Sequence, residues 1–93
     1  MYRQDSAETL ALQALSWLAG NDDLLPVFLG ATGADVSEMA ARADEGAYLA
    51  SVLDFLLMDD AWVIAFCDAQ GLAYTAPLQA RAWLPGGEAE MHN

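Results

Sequence analysis

Two adjacent-aspartate pairs, Asp22–Asp23 and Asp59–Asp60, are the residues of this chain that come nearest to chemistry by type and spacing. Paired carboxylates can share a proton or hold a hard divalent cation. Successive aspartates seldom point the same way, however, and neither pair sits in the D-x-D-x-D-G spacing, closed by a glutamate, of a calcium loop. Each pair instead precedes an apolar helical run, Leu24–Leu29 in one case and Ala61–Phe66 in the other. A carboxylate placed there accepts helix amides and meets the positive end of the helix dipole. Asp22 or Asp23, and Asp59 or Asp60, are therefore expected to cap helices. No metal-ligand set is assigned.

Covalent chemistry has fewer means still. Cys67 is the single cysteine, so no intramolecular disulfide forms and a nucleophilic role would need a base or cation beside it. The only histidine, His92, stands one residue from the C-terminus, and there is no lysine. The glycines of "GATGAD", Gly30 to Asp35, follow a helical pattern rather than a strand, which is the wrong setting for a phosphate loop. No catalytic residue and no cofactor is assigned, and the chain is not expected to be an enzyme.

The elements that must position these groups are helices. Ninety-three residues suffice for one modest core, and the chain is read as a single domain over residues 1–87 with a disordered tail at 88–93. Much of the apolar fraction is alanine, and no alternating Val/Ile/Thr run occurs anywhere. The fold class is all-α: a compact orthogonal bundle of five or six short helices. Asp5 with Glu8 resembles a capping box before the apolar stripe Leu10, Leu12, Leu15, Trp17 and Leu18. Gly33 and Gly71 fit helix stops, Asp35 with Glu38 forms a second box, and Thr75 with Pro77 opens the last helix.

Displacing the chain by 38 positions aligns residues 10–33 with 48–71 without a gap. Leu15 meets Leu53, Leu18 meets Leu56, Asp22 meets Asp60, Phe28 meets Phe66 and Gly33 meets Gly71. After a one-residue insertion Met39 meets Leu78 and Arg42 meets Arg81. A duplicated three-helix unit, spanning 8–44 and 46–84, is one reading of this pattern, and chance similarity of two amphipathic helix pairs is the other. Trp17, Phe28, Phe55, Trp62 and Phe66 have core spacing, whereas Tyr48, Tyr74 and Trp83 sit where fewer apolar neighbours repeat.

Fourteen acids face only Arg3, Arg42 and Arg81, a net charge of -11. Such a surface repels phosphate backbones and anionic membranes alike, so neither nucleic acid nor membrane is an expected partner. A basic segment followed by an apolar one is missing from the N-terminus, and no uncharged apolar stretch of spanning length occurs, which gives a cytoplasmic protein as the expectation.

Together "LALQALSWLAG", "FLGATG", "YLASVLDFLLMDDAWVIAFC" and "ARAWLPGG" resemble a family of small acidic all-helical alphaproteobacterial proteins of unknown function. The resemblance covers about Ala7 to Gly87, and "LDFLLMDD" is its most specific element. Its usual pattern places a proline soon after the second stop glycine, which this chain delays to Pro77. The resemblance implies fold and cellular class and transfers no site residue. The functional expectation is a non-enzymatic protein-interaction module, a small acidic adaptor or regulator of a basic or amphipathic partner. Tyr74, Trp83, Asp59 and Asp60 are its expected contact residues. A structural homo-oligomer, such as a homodimer, is the alternative, and divalent-cation binding at the acidic pairs is a third reading.

Overall fold

α1 (Gln4–Ala19) is the longest helix, and the sequence explains why it lies inside the molecule. Ala7, Ala11 and Ala14 are fully buried on one face beside Leu10, Leu15 and Leu18, so neighbouring backbones approach closely. The computed structural model describes residues 4–87, and within them the fold is all-α. α2 (Leu25–Thr32), α3 (Val36–Ala41), α4 (Gly46–Leu56), α5 (Asp60–Gln70) and α6 (Ala76–Ala82) follow. α1 packs against α4 and α6, and α6 closes on α4. The expected tail at 88–93 lies outside the described residues.

α4 is apolar nearly all round, with Tyr48, Leu49, Ala50, Val52, Leu53, Phe55 and Leu56 buried, as a helix in the middle of a core must be. Its one charged side chain, Asp54, is exposed. The Nε of Arg81 donates to Asp54 Oδ1 at 2.6 Å and Nη2 donates to Oδ2 at 3.3 Å, joining α6 to α4 in a two-point pair. Nη1 of the same guanidinium donates to the Pro85 carbonyl at 2.9 Å, so one side chain also ties down the turn after α6. Leu84 is then fully buried. Gly87 must remain glycine, because a Cβ there would lie 2.4 Å from the Ala82 carbonyl oxygen.

Two ring contacts join residues at matched positions of the 38-residue alignment. Trp17 meets Phe66 edge-on, with ring centroids 5.7 Å apart at 64°. Phe55, the counterpart of Trp17, meets Phe28, the counterpart of Phe66, at 5.2 Å and 72°. The stops also correspond: Gly33 (φ 71°) and Gly71 (φ 69°) are both left-handed, donating to Leu29 and Cys67 carbonyls at matched positions.

Several local expectations are corrected. α1 already includes Gln4, so Asp5 lies within its first turn rather than in the cap position. Asn21, not Asp22 or Asp23, organises the start of α2: its Oδ1 accepts from the Asp23 and Leu24 amides, both at 3.0 Å. The side chain of Asn21 reaches the amides two and three residues ahead, and both aspartates are left exposed. In the second half the matching residue is Asp59, which caps α5 by accepting from the Ala61 amide at 2.8 Å. Asp60 is the first residue of the helix itself. Asp35 and Glu38 do form a capping box, Asp35 Oδ1 accepting the Glu38 amide at 3.0 Å. Thr75 and Glu45 occupy cap positions without a side-chain hydrogen bond to the helix.

Candidate interaction surface

Leu12 aligns with the apolar stripe of α1 in sequence but is exposed, and it lines a cleft. One turn earlier, Glu8 stands on the same side of α1, as the i, i+4 spacing requires. Ala40 and Ala41 at the end of α3, Ala43 and Asp44 in the following turn, and Leu49 of α4 complete the lining. The cleft has a volume of about 470 Å³. Its walls are short and apolar, its rim carries Glu8 and Asp44, and no cation lines it.

Neither described arginine is free to offset that rim. Arg42, the C-cap of α3, lies 4.0 Å from Glu38 and 3.4 Å from Glu45, and its guanidinium sits 5.5 Å above the Tyr48 ring. Arg81 is engaged with Asp54 and the Pro85 carbonyl. Twelve acids fall within the described residues, and Glu38, Glu45 and Asp54 face an arginine. The remaining nine, Glu8 and Asp44 among them, have no arginine partner among the described residues.

Of the four residues expected to contact a partner, the aspartate pair and Tyr74 stand apart. Asp59 and Asp60 lie at the start of α5 and Tyr74 lies beyond its end. A helix of 11 residues separates them by roughly 16 Å. All three are exposed, and the Tyr74 hydroxyl donates to Asp68 Oδ1 at 2.7 Å, a bond that raises the phenol pKa above its ordinary value. Trp83 caps the C-terminus of α6 and is 38% exposed. Tyr48 joins Phe28 in the core instead of the surface, which burial reflects by raising its pKa. Its hydroxyl is enclosed with no hydrogen-bond partner.

Cys67 is buried and its thiol donates to the Ala73 carbonyl at 3.4 Å. Desolvation and the charge of Asp68 push its pKa up, away from thiolate character. Among the described residues no three His, Cys, Asp or Glu side chains gather where they could hold a metal ion, and no helix is long and apolar enough to cross a membrane. The cleft was not singled out in the sequence, although an apolar residue four places after Glu8 and off the main buried face was a usable signal.

The family model described as "Protein of unknown function (DUF3572)" matches residues 4–87, nearly the whole chain. The chain belongs to this family. The match ends at Gly87, the glycine that the turn after α6 requires, so the family's extent coincides with the six-helix unit. No curated protein and no solved structure matches the chain. Family membership supplies no activity, and function must be argued from the surface.

Proposed function

We propose that this protein is a non-enzymatic interaction module whose cleft between α1, α3 and α4 receives a basic amphipathic helix. The supporting observation is the distribution of charge. Both described arginines are held in intramolecular pairs, leaving Glu8 and Asp44 uncompensated on the rim of an apolar cleft. An amphipathic helix would lay apolar side chains over Leu12, Leu49 and the alanines while lysines or arginines flank the two acids. The alanine walls allow its backbone to come close, and the long-range field of the chain would speed encounter. A small cytoplasmic adaptor or regulator is the role that fits these properties.

A fluorescently labelled Leu/Lys amphipathic helical peptide is a direct probe. Any acidic protein attracts such a peptide weakly, so location must be read as well as affinity. Reversing Glu8 and Asp44 to lysine is expected to weaken binding about tenfold or more, with Leu12→Asp acting in the same direction. Reversing the exposed Asp22 and Asp23 serves as the control and is expected to have a much smaller effect. Equal losses from both reversals would mean attraction to overall charge, and the cleft would lose its role.

A further inference from the structure

Among the described residues, the Tyr48 hydroxyl is the buried side-chain polar atom that has no hydrogen-bond partner. Tyr48 is 6% exposed and lines a groove of about 360 Å³ between the end of α2, Arg42 and one face of α4. Ser51, Phe55 and Met58 follow it along that face, three, seven and ten positions on. The groove shares no lining residue with the cleft of Glu8 and Leu12, and its volume lies in the range of small-molecule sites.

The other hydroxyls of the groove have already donated their hydrogens. Ser51 donates to the Tyr48 carbonyl at 2.6 Å, and Thr32 to the Phe28 carbonyl at 2.9 Å. Its charges are likewise answered, Asp54 by Arg81, and Arg42 by Glu38 and Glu45. The groove therefore lacks an acceptor for one phenol and does not lack a counter-ion. An anion is opposed further by the net charge of -11. Ala31, Ala34 and Phe55 supply apolar wall, and Met58, 73% exposed, offers a pliant thioether that can close on an apolar guest. A buried donor left unpaired is unfavourable, and a guest that pairs it relieves that cost.

We infer that this groove binds a small, uncharged, mainly apolar molecule through one carbonyl-type acceptor, which receives the hydrogen bond of the Tyr48 hydroxyl. The hydroxyl is enclosed, so the guest reaches it as a covering side chain turns aside. Arg42 is placed for that part. Its guanidinium sits 5.5 Å from the Tyr48 ring centroid, and its ion pairs are exposed and weak. Desolvation raises the phenol pKa, which keeps the group a neutral donor.

Titration of the full chain with para-fluoroacetophenone, followed by fluorine NMR, tests the site. Para-fluoroethylbenzene is the matched compound without a carbonyl. The ketone is expected to bind about fivefold to tenfold more tightly, and to shift the methyl resonance of Met58 more than that of buried Met39. Tyr48→Phe keeps the ring and should remove this preference. Its melting temperature should equal or exceed that of the wild type, because an unpartnered hydroxyl is lost. Arg42→Ala should retain the preference, since only the covering side chain goes. No ketone binding at millimolar concentration, equal affinity for the two compounds, or a preference that survives Tyr48→Phe overturns the inference. A clear fall in the melting temperature of Tyr48→Phe also overturns it, by showing that the hydroxyl already has a partner such as a trapped water.

Discussion

Helices α3 and α6 close the two halves of the chain from matched positions, Met39 against Leu78 and Arg42 against Arg81. Their attachments differ sharply. α6 buries Ala76, Pro77 and Ala80, packs on both α1 and α4, and is clamped through Arg81 to Asp54. α3 buries Met39 alone, and the carboxylates its arginine meets are glutamates of its own helix end and the following turn, with the Tyr48 ring beneath the guanidinium. The difference traces to one position. Asp54 of α4 corresponds to Ser16 of α1, so only the second half offers its arginine a carboxylate on another helix. Two similar helix pairs thus share a core, while their third helices diverge into a fixed face and a lightly attached one.

The largest test of the shared part is truncation of its reciprocal rings. Phe28→Ala and Phe66→Ala should each cost about 3–5 kcal/mol in chemical denaturation, because each removes a fully buried ring and its edge-on partner. Comparable losses are the expected outcome, and tolerance of one change within about 1 kcal/mol would show that the halves are not packed equivalently.

A smaller effect sharpens the contrast between the third helices. Arg81→Met should destabilise the fold by about 1 kcal/mol, after allowing for water at exposed Asp54, and lower the melting temperature by roughly 4–8 °C. Arg42→Met should change stability by less than about 0.5 kcal/mol, since its ion pairs are exposed and local. Equal costs would remove the clamp as the distinguishing feature.

The smallest effect is local and depends on pH. Ser37 and the Glu38 amide, both donating to the Asp35 carboxylate, hold its pKa below the ordinary 3.8. A lowered folded-state value means a stabilising contribution present above that ordinary pKa and lost as pH falls through the depressed one. Amide hydrogen exchange in α3 should therefore accelerate below about pH 3.8, before that of α6. Asp35→Ala should abolish this pH step and leave α3 less protected at neutral pH. An unchanged pH step in the variant would assign it to another group.

Periodicity made the helices readable, because apolar spacing, stop glycines and the Asp35–Glu38 box are short-range signals. The aromatic core was also legible: Phe28, Phe55 and Phe66 are buried, with Trp17 and Trp62 packed at its margin. Caps were harder to place. Asn21 and Asp59 hold the matched positions, yet the identical pair Asp22 and Asp60 drew attention because sequence comparison rewards identity over hydrogen-bond reach. The surface was least legible. Leu12 and Leu78 are apolar yet lie off the buried faces of α1 and α6, and what each borders at the surface is set by the packing of the helices.

By itself, the sequence determined an all-helical chain, the positions of its turns and a strongly acidic composition. These follow from interactions within a few residues, or from composition, and neither needs a partner distant in the chain. Only the tertiary structure decided that Trp17 meets Phe66 as Phe55 meets Phe28, that Arg81 reaches across to Asp54, and that Glu8 and Asp44 share the rim of one cleft. Each of those joins residues from different helices, and their meeting depends on how the packed core rotates and spaces the helices that carry them.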